Sequence, residues 1–355
     1  MMIVNFHYKT RNSGNFKEDL CESLSKKEEK MKKYALATAL TAILIFSVVG
    51  NVFAEETVGC PHDVGKGKFK VRSKVAYVQV QKCYSDEVWK ALHGSSPYPT
   101  DYDKMVDLPD GWHQKKTRIV MGLEYGIIDR LSVGVFIPYV MKDMKRQVWS
   151  KKEKKTVWKG VKDNGLEDFW LSAKYLVYSK SPGLLGFDWE DGLFFAIGYK
   201  PSINSDEKIK NGIGSGTQDF KIVALAHPHF TESFFLCSDT WYQYRSKVKD
   251  IDGFSKSGWD LGDKFAYRAF LGYEFDKFAI LGGPQGWISV NDKDSTGNEI
   301  EDSDKYSHAM IAKLRWMPIG EEDEGSIDLG IRVPYANKTS FAPNFMLTVS
   351  GRIKF

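Results

Sequence analysis

Apolar and polar residues alternate one for one along most of the chain after residue 68. Between Thr117 and Ile128, the apolar Ile119, Met121, Leu123, Tyr125 and Ile127 interleave with Arg118, Val120, Gly122, Glu124 and Gly126. Between Leu131 and Tyr139, Leu131, Val133, Val135, Ile137 and Tyr139 do the same against Ser132, Gly134 and Phe136. A period of two puts successive side chains on opposite faces of an extended chain, so each stretch predicts a strand with one apolar face. Asp129-Arg130 between them predicts a tight hairpin. The same unit recurs at 169–177, 193–200, 219–226, 234–245, 264–275, 310–316, 327–335 and 345–355. Segments near 69–82 and 278–290 bring the count to 12 strands.

The links between these strands alternate in length. Asp129-Arg130, Thr231-Glu232 and Asp276-Lys277 are two-residue turns, and 181–191 and 318–325 are modest ones. Between them fall 83–115, 141–164, 205–216, 248–261 and 291–304, longer and rich in Lys, Asp, Gly and Ser. A transmembrane β-barrel has this asymmetry, with short periplasmic turns and long external loops. An even strand number returns both ends of the chain to the periplasmic side. The expected fold class is therefore all-β, a transmembrane antiparallel β-barrel of about 12 strands over 69–355. A soluble sandwich would share the period. Two features favour the barrel. Tyr139, Tyr199, Tyr244, Phe275, Trp316 and Tyr335 end their strands on the apolar face, as an interfacial aromatic girdle requires. The opposite face carries charges within the strands, which a wet or ion-paired lumen tolerates.

Composition sharpens this. The chain has 355 residues with 17 Tyr, 22 Phe and 10 Trp, yet its mean hydropathy is -0.37. A bundle of membrane helices is excluded, and a polar average with many aromatics fits strands apolar on one face only. Length alone would suggest two domains; the pattern makes it one barrel. Lys and Arg number 50 against 46 Asp and Glu, so no polycation for nucleic acid is present.

The one long apolar run is near the N-terminus. Met31 to Ala54 has a basic Lys32-Lys33, an apolar 35–49 stretch and Val52-Phe53-Ala54 as a cleavage site, which predicts a signal peptide over 31–54. Lys26-Lys27-Glu28-Glu29-Lys30 before Met31 is encodable by purine-rich codons resembling a ribosome-binding site. Residues 1–30 then read as a mis-assigned N-terminal extension and Met31 as the start. Residues 55–68 form a periplasmic segment. Of Cys60, Cys83 and Cys237 beyond the leader, a Cys60–Cys237 disulfide is the easier pairing and would tether that segment in the barrel mouth. A periplasm permits it.

The stretch Gly122-Leu-Glu-Tyr-Gly-Ile-Ile-Asp-Arg-Leu-Ser-Val-Gly-Val-Phe-Ile-Pro-Tyr139 resembles a hairpin of bacterial outer-membrane proteins known as the phenol degradation meta-pathway family. Gly165-Leu-Glu-Asp168 with Ala173-Lys174-Tyr175 is similar to another strand of that family, with Glu167 replacing a Gly. Gly214-Ser-Gly-Thr-Gln-Asp-Phe220 is similar to a third segment. The resemblance covers about 118 to 226 and, more loosely, the rest. It implies an outer-membrane transporter in a Gram-negative envelope, passing small hydrophobic or aromatic solutes. Phe355, closing an alternating strand, resembles the signal that such barrels present to their assembly machinery. The expected partners are thus outer-membrane lipid, that machinery and a small solute.

Enzyme chemistry is sparse. There is no P-loop, dinucleotide fingerprint, HExxH or Gly-x-Ser-x-Gly, and no cofactor is expected. His227-Pro-His229 is a metal pair without an evident third ligand. His308, on the apolar face near the external rim with Ser289, Asn291 and Asn337 in reach, is the basis of an alternative, an outer-wall lipid hydrolase. A purely structural or surface-interaction barrel is the other. The candidate site is the inward face: Arg118, Glu124, Lys174, Lys200, Lys221, Asp239, Arg268, Lys313, Arg332 and Arg352. Arg245, Lys264, Arg315 and Lys354 share that register with Asp168, Asp219, Glu274 and Asp328. Two readings stay open: an anion-preferring pore, or cross-strand ion pairs that fill a narrow barrel.

Overall fold

The computed structural model describes residues 64–84, 105–150, 153–180, 183–189, 192–301, 303–319, 325–338 and 341–355. The N-terminal extension, the leader, Cys60 and most of the periplasmic segment lie outside the described residues. Fourteen strands form one sheet. In chain order they are β1 (Phe69–Tyr84), β2 (Met105–Asp107), β3 (His113–Ile128), β4 (Leu131–Ser150), β5 (Lys155–Leu166), β6 (Trp170–Tyr178), β7 (Leu193–Lys200), β8 (Asp219–Ala226), β9 (Phe234–Arg245), β10 (Lys264–Phe275), β11 (Phe278–Ser289), β12 (Lys305–Ile319), β13 (Gly325–Lys338) and β14 (Phe341–Lys354).

Leaving out β2 and β5, the other strands pair antiparallel with their neighbours in chain order. β14 returns to β1 in a register from Lys70↔Lys354 to Cys83↔Phe341. The result is the closed 12-stranded barrel that the period-two pattern predicts. Closure leaves the twelve-stranded wall without a free edge, which a wall facing hydrocarbon requires.

The faces divide as the alternation demands. Ile197 on β7 and Ile222 on β8 are direct partners, and each is 62% exposed on the outer wall. Leu123, Ile137, Leu271, Ile280, Leu329 and Leu347 continue this exposed apolar belt around the barrel. On the inner face Lys174 and Glu124 are each only 3% exposed. Burying apolar area is worth roughly 25 cal/mol per Å², so a belt left open around the whole wall needs a lipid neighbour.

The inner face is less purely polar than the alternation suggests. Phe136, Trp170, Phe194, Phe235 and Phe270 are buried inside. Glycines across the ladder make room for their rings. A Cβ at Gly272 would come within 2.2 Å of the Phe235 ring, and one at Gly122 within 2.7 Å of Phe136. The rings fill the space above these glycines, in the manner of aromatic rescue.

The stretch 141–164, expected as a loop, is a β-hairpin instead. β4 runs on to Ser150 and pairs with β5 from Tyr139↔Leu166 to Ser150↔Lys155. Lys154 takes a positive φ of 48° at its turn. The hairpin projects past the barrel rim with polar and apolar residues mixed on both faces, Met144, Val148, Val157 and Val161 on one and Trp149 and Trp158 on the other, so no clean alternation marks it. The loop 201–217 carries a short helix, α1 (Asp206–Lys210), capped by Ser205, whose side chain accepts from the Lys208 amide. Beyond β9 and β11, the bridges Lys247↔Asp260, Asp260↔Lys293 and Lys293↔Glu299 knit two further long loops together.

Candidate functional site

The ten predicted site residues all stand on the inner face, because each falls in the register opposite the exposed apolar set. Eight of them are at most 8% exposed; Arg268 and Lys313 are partly buried. The structure joins four of them in pairs. Glu124 on β3 meets Lys174 on β6 at 3.2 Å. Asp239 and Arg268, direct partners across β9 and β10, form a fork in which Nε donates to both carboxylate oxygens at 2.9 and 2.8 Å. The others find different neighbours. Arg118 Nε meets Glu167 at 2.7 Å, and Lys200 meets Asp219 at 2.8 Å. Arg332 Nη2 donates to Ser307 at 2.9 Å. Lys221 lies 4.3 Å over the Trp170 ring and 5.6 Å from Trp241, and Lys313 lies 5.1 Å over Phe270. Desolvated contacts of this kind are worth about 2 kcal/mol each.

Several contributors escape a reading by alternation. Arg72 on β1 also holds Glu124, at 2.7 Å. Lys116 shares Glu167 with Arg118, at 3.2 Å, and Glu167 sits in the short link before β6. Gln243 donates to Asp219 at 2.6 Å. The inward rings Trp170, Phe194, Trp241 and Phe270 were visible as members of the polar register, but a pattern scored by its apolar face discounts them.

Among the described residues, the lumen holds at least two cavities. One, of about 240 Å³, lies at the long-loop end and is lined by Lys116, Arg118, Glu167, Asp168, Trp170, Lys200, Ser215, Asp219, Lys221, Arg245 and Lys264 among others. The other, of about 80 Å³, lies nearer the short-turn end between Arg72, Phe136, Cys237, Asp239, Arg268, Phe270, Lys313, Arg315, Asp328 and Arg352. Arg315 Nε reaches Asp328 at 2.8 Å across β12 and β13.

The loop 201–217 folds into the wider end and is held there by Asp168. Its Oδ1 accepts from the amides of Ile203 (3.0 Å) and Asn204 (3.3 Å) and from Asn204 Nδ2 (2.8 Å). Its Oδ2 accepts from the Ser215 amide and hydroxyl at 3.0 and 3.2 Å. Asp168 thus joins loop to wall as a multiple acceptor and uses no cation. From the other side, Lys208 and Asn211 grip Asp163 on β5 at 2.5 and 2.9 Å. These two donors hold the Asp163 carboxyl below the usual carboxylate range. Lys142 also donates to the Asn211 carbonyl at 3.0 Å.

The histidine groupings assemble differently from the expectation. The Tyr267 hydroxyl and His308 Nδ1 lie 3.0 Å apart, and Tyr306 and Tyr335 stack on the same imidazole at 5.7 and 6.3 Å. Ser289 is the partner of Lys305, an odd three residues from His308, so it belongs to the opposite face of the wall; Asn337 partners Ser307. The Ser, His and Asn set of a rim hydrolase is therefore not brought together. The His227 and His229 rings are 5.0 Å apart and pack against Phe235. No group of three metal-ligating side chains occurs among the described residues. Cys237 faces the narrower cavity; its expected partner Cys60 is outside the described residues.

A closed antiparallel wall, apolar outside and charged inside, defines a β-barrel of the outer-membrane type. An outer-membrane channel from Pseudomonas putida F1 has a similar fold, with a TM-score of 0.57 at 11% identity over 86% of this chain and 100% of that one. The monoaromatic hydrocarbon channel CymD aligns at 0.44 and 11% identity, over 82% of this chain and 89% of its own. The toluene transporter TbuX of Ralstonia pickettii aligns at 0.42 and 10%, over 82% and 90%. At these identities the likeness concerns the fold alone. No family model and no curated protein matches the sequence.

Proposed function

We propose that the chain is an outer-membrane barrel that gives small solutes, aromatic and hydrophobic ones among them, a passive route across the membrane. The observation that carries this reading is the pairing of an unbroken apolar outer belt with a lumen holding two cavities lined by both charges and rings. The similar fold of an outer-membrane channel supports it. The hairpin 122–139, which resembles that of the phenol degradation meta-pathway family, supports membership in that family and hence aromatic solutes. In this reading the long-loop end is external, the apolar belt meets membrane lipid, and Phe355 engages the assembly machinery. The cross-strand ion pairs and inward rings of the lumen support a narrow, selective route over a wide water-filled one.

Heat-modifiable migration in detergent tests the barrel. Planar-bilayer conductance and uptake of small aromatic solutes by reconstituted vesicles test the route. Vesicles containing the protein take up such solutes faster than empty ones in this reading. Equal rates for both, with no conductance, would end it.

A further inference from the structure

The lining of the wider cavity is unbalanced in charge. Six cations reach it, Lys116, Arg118, Lys200, Lys221, Arg245 and Lys264, against three carboxylates, Glu167, Asp168 and Asp219. Within the lining, Glu167 is shared by Lys116 and Arg118, and Asp219 is held by Lys200 and Gln243. One of the three is moreover committed to loop amides and hydroxyls, as the five donors on Asp168 show. The narrower cavity is lined by six Lys and Arg side chains with Asp239 and Asp328, Arg72 among them being held by Glu124 from outside the lining. A cleft with low-dielectric walls and one sign of charge focuses its potential on the space inside.

Neither cavity is merely basic. Trp170 walls the wider one, and Phe136 and Phe270 wall the narrower one. Lys221, over Trp170, holds a cation and a ring face within 4.3 Å of each other. A neutral hydrocarbon would gain from the rings and nothing from the charges. An inorganic anion would gain from the charges and nothing from the rings. A molecule with a carboxylate at one end and a ring or short apolar body at the other uses both. A volume of about 240 Å³ is below the roughly 300 Å³ at which drug-sized sites begin, which limits the body to about one ring.

We propose that the wider cavity is a binding site for small organic carboxylates with one aromatic ring or a short apolar chain, and that such anions are the preferred solutes of the barrel. The carboxylate sits among Arg245, Lys264 and Lys221, and the apolar body lies towards Trp170. Arg245 stands at the end of β9, spending one donor on the Gly262 carbonyl at 3.3 Å. This assignment of solute class rests on the passive-route reading; the site itself does not, because binding can be measured without transport.

The test is isothermal titration of the protein, purified in detergent from expression of the full chain, with benzoate, benzyl alcohol and acetate. Benzoate binds saturably and more tightly than either its neutral analogue or acetate. Arg245→Gln weakens benzoate about tenfold, as expected when one charge-assisted contact is lost, and leaves benzyl alcohol unchanged. Lys221→Gln serves equally if the first variant does not give a heat-modifiable barrel. Equal binding of benzoate and benzyl alcohol overturns the anion site, and equal binding of benzoate and acetate overturns the role of the ring. Vesicle uptake is read separately. Benzoate binding without uptake of any solute keeps the site and removes the route, whereas uptake of neutral solutes without benzoate binding keeps the route and removes the site.

Discussion

Phe69 and Phe355 exchange both backbone hydrogen bonds, Phe69 donating at 3.2 Å and Phe355 at 2.8 Å. These two residues, at opposite ends of the barrel sequence, are where the wall closes. Deleting Phe355 removes both bonds together with the terminal ring, and the first turn of the β1–β14 seam opens. The expected result is a reduced fraction of heat-modifiable barrel in cell envelopes. Phe355→Tyr, which keeps backbone and ring, restores it. Gel migration of unheated samples reads the difference.

Glu124 neutralises two cations at once, Arg72 at 2.7 Å and Lys174 at 3.2 Å. Glu124→Gln leaves both buried without that counter-charge. Breaking a buried pair from one side costs about 3–5 kcal/mol. Urea unfolding of the barrel in lipid vesicles, followed by tryptophan emission, gives the loss directly.

Asp168 is the acceptor that binds the loop 201–217 to the inner wall. Asp168→Ala strands several loop donors, at about 1–3 kcal/mol for each one left buried and unpaired. The loop then leaves the wider end more often. Single-channel recordings of the variant show higher mean conductance and more frequent switching than the parent.

The clasp between β5 and α1 responds to acid. Lys208 and Asn211 lower the Asp163 pKa from a usual value of about 3.9. A carboxylate of lowered pKa adds stability above the ordinary value and loses it as pH falls through the folded value. The clasp therefore holds at neutral pH and weakens below about pH 4. Amide exchange across 205–212 rises on acidification in the parent. In Asp163→Asn it is raised at neutral pH and changes less on acidification.

Gly272 lets the Phe235 ring lie on the inner wall, fully buried. Gly272→Ala drives a Cβ into that ring, an overpacking cost of about 1–3 kcal/mol. Adding Phe235→Ala makes the combined loss smaller than the sum of the two single losses. Unfolding midpoints of the three variants measure the coupling.

Much of this architecture was written locally. A strand's pleat sends neighbouring residues to opposite faces whatever lies far away in the chain. The apolar series from Ile119 to Ile127 therefore already declares which face of β3 meets lipid. Alternating link lengths, likewise local, order the strands and set their even number. The β4–β5 hairpin escaped because a ribbon with water on both faces needs no apolar alternation. Glu167 escaped because it lies between strands, where the period gives no side.

What the sequence by itself determined is the set of twelve one-faced strands and the inward register of the charges. Tertiary structure alone decided their company. Whether Glu124 meets Lys174, 50 residues away, or Arg118 meets Glu167 depends on the stagger between strands as the sheet closes. Alternation within a strand carries no information about that stagger. The same closure sets six cations against three carboxylates around the wider cavity, because a cavity's charge is a property of the ring of strands and not of any one of them.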